Sequence, residues 1–268
     1  MIMSKLINIF CNYYKSSIDV KEKLLDMLKK YDIYEADGYS EEAIYNVVIG
    51  GDGTFIKACH DSNFSKIPFI GINTGHLGFY QEIEPDNVEL AVKTILNDNN
   101  TIQEIKLIEC DIITEEKSYI YYSVNEVVFK AKYASIIHFD MYVNNLHLQS
   151  FSGDGAIFST PSGSTAYNLS AGGAILFQNL EGFQMTPVAP IKSSIFKSLD
   201  KSLVIPSDSF VTLKPRRKEE TFSSISIDGV LKEIEDIDTI EIKLSKKVIN
   251  KVTLDHNWFW KNIKEKLI

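Results

Sequence analysis

The sequence predicts an α/β N-terminal domain on a doubly wound parallel sheet, then a β-rich C-terminal domain. A C-terminal helix is expected to pack back on the first domain or to close the boundary between the two. Three observations predict this. Short apolar runs alternate with helix-period segments over roughly the first hundred residues, the rhythm of βαβ units. Beyond them, strand patterns follow one another closely, separated by turn residues. The last eleven residues regain a helical period.

KLINIFCN (5–12) reads as the first strand. Residues 18–33 carry Val20, Leu24, Leu28 and Tyr31 at helical spacing behind Asp19 as N-cap, with Lys21, Glu22, Lys29 and Lys30 outside, an amphipathic covering helix. YNVVI (45–49) is a buried strand, FIKACHDS a helix, PFIGIN (68–73) another strand, and PDNVELAVKTILND a helix begun by Pro85. This domain is expected over 1–100, joined by 256–268.

The β-rich domain is expected over 101–255. Its strands are IKLIECDIIT, SYIYYSVNEVVFK, IIHFDMYV, LHLQSF after a turn at Asn144-Asn145, SLVIPSDSFVTL, FSSISIDG, DTIEIKLS and VINKVTL. The tail WFWKNIKEKLI has Trp258, Phe259, Ile263 and Leu267 as its apolar side.

Composition excludes several classes of function. The 268 residues carry a net charge of −8, whereas nucleic acid is held by basic surfaces, so no nucleic-acid partner is expected. The local cluster Lys214, Arg216, Arg217, Lys218 reads as a solvated loop, because Glu219 and Glu220 follow it. Cys11, Cys59 and Cys110 are too scattered for a disulfide framework or a metal site and point to a reduced setting. No signal-peptide pattern and no apolar stretch of the ~20 residues that span a bilayer occur, so a cytoplasmic protein without a membrane partner is expected. In that setting the sequon Asn63-Phe64-Ser65 is an accident of composition. His138, His147 and His256 have no ligand spacing.

The stretch VVIGGDGTFIKACH (47–60) carries the first chemistry. A strand running into glycines and then a helix gathers backbone N–H groups and the helix's positive end at one point, which suits phosphate. The Lys-Ser/Thr end of a P-loop is missing, and no GxGxxG spacing occurs. Asp52 is therefore the puzzle. A carboxylate beside polyphosphate is repelled unless a divalent cation lies between, or unless it faces the attacking group as a base. Alternatively, Asp52 only caps the helix.

Further motifs decide the matter. GGDGTF (50–55), GINTGHLGFY (71–80), VNE (124–126), SGDGAIFSTPSGSTAYNLSAGG (152–173) and SIDG (226–229) stand in an order and spacing that resemble the NAD kinase family over nearly the whole chain. GGDGT alone is shared with lipid and sphingoid-base kinases; the long second-domain segment is far more specific.

The resemblance implies a kinase moving the terminal phosphoryl of ATP or polyphosphate, with Mg2+, to the 2'-hydroxyl of the adenosine ribose of NAD, giving NADP. It implies Asp52 as base, Gly50, Gly51, Gly53 and Thr54 shaping the phosphate loop, and a nucleotide bound between the domains. Asn125 and Glu126 would read the adenine and ribose, and Asp154 the nicotinamide amide; each is otherwise a turn residue. Thr165, Ala166, Tyr167, Asn168, Leu169 and Ser170 would line the nucleotide, with Ala166 leaving room for a base and Tyr167 offering a ring; otherwise they form a polar surface loop with Tyr167 in the core. Ala189 aligns with a backbone contact to the nucleotide. A homo-oligomer, tetramer or dimer, is also implied.

Two positions depart from the family pattern: Ser152 stands where relatives often have Arg, and Val230 where they often have Gln. His76 is expected to belong to a tight loop and not to act as the base, and His60 to face solvent. The rival readings are a lipid or sphingoid-base kinase, for which the polar STPSGSTAYNLS segment is unsuited, and a non-catalytic pyridine-nucleotide sensor, which would not need Asp52.

Overall fold

The computed structural model describes residues 5–75, 78–133, 135–192, 198–216 and 223–268. His76, Leu77 and the charged run 217–220 lie outside the described residues. The chain divides into two compact units, Met1–Ile105 with Val248–Ile268, and Lys106–Lys247. No described helix is long and apolar enough to cross a membrane.

The first unit contains β1 (Lys5–Cys11), α1 (Lys15–Leu28), β2 (Ile33–Glu35), β3 (Tyr45–Gly50), α2 (Asp52–Asp61), β4 (Phe69–Asn73) and α3 (Val88–Leu96). Its strands run parallel in the order β2-β1-β3-β4. Ile70 and Ile72 join Val20, Leu24, Leu28, Val88 and Val92 in one apolar cluster under α1 and α3. Phe69 points to the opposite face, where it meets Phe55 of α2, as a doubly wound sheet requires.

Two local expectations are corrected here. α1 begins at Lys15, not behind Asp19, and its N-cap Tyr14 makes no side-chain cap bond. The buried Ser17 hydroxyl instead shares a 2.5 Å hydrogen bond with Thr74, so a tertiary contact overrides the capping signal. Tyr31 is half exposed, and Asp32 in the left-handed region turns the chain into β2. α3 is capped by Asn87, whose side chain accepts from the Leu90 N–H, and Pro85 lies outside it.

The second unit adds β5 (Thr101–Thr114), β6 (Ser118–Ser123), β7 (Glu126–Ala131), β8 (Ile137–Val143), β9 (Leu146–Gly153), β10 (Gly155–Ser159), the one-turn helix α4 (Tyr167–Ser170), β11 (Gly182–Val188), β12 (Leu203–Pro206), β13 (Phe210–Pro215), β14 (Ser223–Ile227), β15 (Val230–Lys232) and β16 (Ile237–Thr253), which ends in the first unit before α5 (Trp258–Leu267). An antiparallel sheet runs β12-β11-β10-β7-β14-β15, and a second layer pairs β9-β8-β13-β16 with β5 and β6. Phe129, Phe158 and Phe183 of the first sheet share a core with Phe139, Phe151 and Ile240 of the other.

SYIYYSVNEVVFK is not one strand: it breaks at Val124-Asn125, and its halves join different sheets. Conversely, DTIEIKLS and VINKVTL are one strand, β16. Its last residues return to the first unit, where Lys251 pairs in register with Phe69 of β4. There the Lys251 ammonium meets Glu82, with side chains 3% and 4% exposed. Glu82 also accepts from Thr253 Oγ1 and from the N–H groups of Leu254 and Asp255, which fixes the chain as it enters α5.

Removing one partner from such a pair strands the other's charge in a dry site. Lys251→Met is expected to lower stability by roughly 3 kcal/mol, the low end for a broken buried pair, since Glu82 keeps its other donors. Chemical denaturation of parent and variant measures this; an unchanged midpoint overturns it.

Candidate active site

In the first unit, Gly50 ends β3, Gly51 is the N-cap of α2 and Asp52 is its first residue. The helix closes on Gly51 O, which accepts from Thr54 N at 2.8 Å and Phe55 N at 3.2 Å. A Cβ on Gly50 would lie 2.2 Å from Thr54 Oγ1, so only glycine fits there. At Gly51 and Gly53 an added Cβ would meet nothing within 4 Å, so the loop there faces open space.

Asp52 does not cap its own helix, whose start shows no side-chain cap bond. Its carboxylate reaches the 78–80 turn, where Oδ2 accepts from Phe79 N at 3.0 Å and Oδ1 from Tyr80 N at 3.2 Å. Gly78 makes room for this, since a Cβ there would lie 2.7 Å from Asp52 Oδ1 and 2.3 Å from Gln81 Oε1. Lys266 of α5 brings its ammonium to 4.0 Å from Asp52 Oδ2.

In the second unit the break between β6 and β7 is held by Asp228. Its carboxylate accepts from Ser123 Oγ at 2.7 Å and from the N–H groups of Val124, Asn125 and Glu126 at 2.8, 2.7 and 3.2 Å. Asp228 and Gly229 both have positive φ, 47° and 78°, the geometry of a two-residue hairpin turn between β14 and β15. From the other side, Thr160 N donates to Asn125 O at 2.9 Å and Thr160 Oγ1 to Val124 O at 2.6 Å. Gly163 packs so closely that a Cβ would lie 2.0 Å from Asn125 O.

Glu126 is thereby buried with Oε2 unpartnered among the described residues. Burial, and then the neighbouring Asp228 charge, push its pKa up to about 7. A buried carboxyl oxygen without a donor is costly unless a ligand supplies one.

The 159–170 segment departs from both surface-loop expectations. Ser159 to Ser164 are buried, and Tyr167, expected as core in that reading, is 41% exposed. Thr165, Ala166 and Leu169 are half-buried and Ser170 exposed. Asn168, in contrast, is wholly buried: Nδ2 donates to Ser164 O and Ala174 O, and Oδ1 accepts from Thr186 Oγ1 at 2.6 Å. Its side chain frames the loop. Asp154 is exposed at the β9-β10 junction, its N–H on Val188 O, and Ala189 sits in the left-handed region at φ 43°.

Both departures from the family pattern have a local account. Ser152 is buried, sharing a 2.8 Å hydrogen bond with His138 Nδ1. Val230 is exposed just after the hairpin turn. Arg216 closes bidentately on Asp140 at 2.8 and 2.6 Å, a local ion pair. His60 is half-buried against the Phe64 ring rather than fully turned to solvent. Among the described residues no three His, Cys, Asp or Glu gather to hold a metal. Asp228, Thr160 and Lys266 escaped the sequence reading as site residues; SIDG was visible as a motif, but nothing in its spacing shows that its Asp holds VNE together.

A glycine turn opening a helix, with a carboxylate tied beside it, places the chain among the kinases. Two family models match it: the ATP-NAD kinase N-terminal domain over residues 39–100 and the ATP-NAD kinase C-terminal domain over residues 124–254. The NAD kinase of Finegoldia magna is 42% identical over 99% of this chain and 98% of its own, and that of Latilactobacillus sakei 33% identical over 98% and 97%. The fold is shared with yeast NADH kinase complexed with NADH, at TM-score 0.85 and 19% identity over 98% of this chain and 87% of that one. It is shared also with an Archaeoglobus fulgidus NAD kinase in complex with ATP, at 0.75 and 21% over 97% of each. The chain belongs to the NAD kinase family. The shared GGDGT loop therefore does not signal a lipid kinase here.

The Glu126 environment fixes the sign of a pH effect. The folded carboxyl titrates near 7 and an ordinary glutamate near 4.5, so folding binds a proton between them. The stabilisation is complete below 4.5 and is lost as pH rises through about 7, to roughly 3 kcal/mol at most. Glu126→Gln is expected to melt like the parent at acid pH and above it at about pH 8. Melting curves for both proteins across that window check this; a parent that gains stability with pH relative to the variant refutes it.

Proposed function

We propose that Asp52 is the general base of this enzyme, taking the proton of the ribose 2'-hydroxyl as that oxygen attacks the terminal phosphorus of ATP. The chain is an NAD kinase, a phosphotransferase that phosphorylates NAD. The observation carrying the residue assignment is the fixed Asp52 carboxylate. Two backbone N–H groups hold its direction beside a glycine turn open to solvent, and each oxygen keeps acceptor capacity for a hydroxyl proton.

In the proposed reaction a bond forms between the 2'-oxygen and phosphorus. The bond from phosphorus to the bridging oxygen breaks, its electron pair leaves with ADP, and the proton rests on Asp52. With polyphosphate as donor, the shortened chain is the leaving group. Gly50, Gly51, Gly53 and Thr54 shape the donor loop, where the start of α2 favours phosphate. Mg2+ bound with the donor would supply charge neutralisation at its phosphates.

We assign Asn125 and Glu126 to the adenine and ribose of NAD, because Asp228 and Thr160 lock their backbone while Glu126 Oε2 lacks a partner. Asp154, Thr165, Ala166, exposed Tyr167, Leu169, Ser170 and the Ala189 backbone complete the proposed nucleotide contacts; Asn168 supports them from beneath. We further place the enzyme in the cytoplasm as a homo-oligomer, a tetramer or dimer, to be tested by sizing.

Asp52→Asn is expected to fold with a somewhat lowered melting temperature, since its amide can accept only one of the Phe79 and Tyr80 N–H groups, and to keep NAD affinity while NADP formation from NAD, ATP and Mg2+ falls by about a thousandfold or more. A near-normal rate removes Asp52 as base. Asn125→Ala is expected to weaken NAD binding chiefly; unchanged affinity by calorimetry takes Asn125 out of the site.

A further inference from the structure

Lys266 faces inward on a helix whose cover does not need a lysine. The buried residues of α5 are Phe259 and Asn262, and Lys266 follows Asn262 by one helical turn on the same face. The side chain is 17% exposed. Leu267, expected on the apolar side, points outward instead. The ammonium lies 4.1 Å from the centre of the Phe79 ring and 4.0 Å from Asp52 Oδ2. Phe79 is the residue whose N–H holds that same oxygen.

This separation is too long for a hydrogen bond, so Lys266 acts on Asp52 as a charge. Burial pulls the Lys266 pKa down, with Asp52 opposing, and a methionine would cover Phe79 without that cost. Among the described residues the other cation whose field reaches Asp52 is Lys251 on β16, which Glu82 already neutralises.

We propose that Lys266 is a positioning residue for phosphoryl transfer, its ammonium over the Phe79 ring keeping the Asp52 carboxylate aimed at the acceptor hydroxyl. The inference rests on Asp52 acting as base. In this role it acts through Asp52, so it governs turnover and not affinity.

Full-length Lys266→Met, Lys266→Arg and Asp52→Asn are assayed together at saturating ATP and Mg2+ with NAD varied. The Met variant is expected to lose about tenfold or more in kcat with KM for NAD within about twofold, and Arg to restore most of the rate. Parental kcat in Lys266→Met beside an inactive Asp52→Asn overturns the role of Lys266 and leaves the base standing. An active Asp52→Asn removes the base itself. A change confined to KM, or a loss that Arg fails to restore, also overturns the proposal. If Lys266→Met melts early, Lys266→Gln takes its place under the same kcat criterion.

Discussion

The structure depends on carboxylates that accept backbone N–H groups from segments far away in sequence. Irregular chain carries amides with no ladder partner, and an ionised acceptor satisfies several at once with stronger bonds than a neutral one. Asp228 does this for the β6-β7 corner, Asp52 for Phe79 and Tyr80, and Glu82 for Leu254 and Asp255. In the first unit these ties form a circuit. Asp52 holds the turn that leads to Glu82, Glu82 holds the entry to α5, and α5 returns Lys266 to Asp52. Trp258 adds a bond from its indole N–H to Phe79 O at 3.2 Å.

Much of this was legible from residues, because period and punctuation are local properties. The Val47 to Ile49 run, the alternation along β8 and the glycines of GGDG each announce their element within a few positions. What stayed hidden is whatever depends on a distant partner. Asn125 is a turn former within SYIYYSVNEVVFK, but that the break is held by Asp228, about a hundred residues away, which takes those amides, has no local signal. α1 starts at Lys15 and not behind Asp19 because Ser17 finds Thr74. Strands β10 and β11 pass unread since Gly155 and Pro187 look like turn formers until they lie in a ladder.

Two carboxylates, one in each unit, differ by environment. Asp52 has donors on both oxygens and a cation nearby. Glu126 has burial, a negative neighbour and an oxygen without a donor. In the roles proposed above, Asp52 takes a proton from the acceptor and Glu126 Oε2 accepts from a hydroxyl of the ligand. Burial and then the Asp228 charge push the Glu126 carboxyl up to about 7.

The glycines sort by the same reasoning. Gly50, Gly78 and Gly163 are required by neighbours that a Cβ would strike, namely Thr54, Asp52 with Gln81, and the Asn125 carbonyl. Packing thus accounts for them without any ligand. Gly51 and Gly53 have no such neighbour, and neither has a left-handed φ. Structure alone would tolerate alanine at both, although a backbone stripped of side chains there lets phosphate oxygens approach the N–H groups at the start of α2. Folding therefore does not demand glycine at the two positions that flank Asp52, and the proposed approach of a phosphate donor supplies a reason for it there.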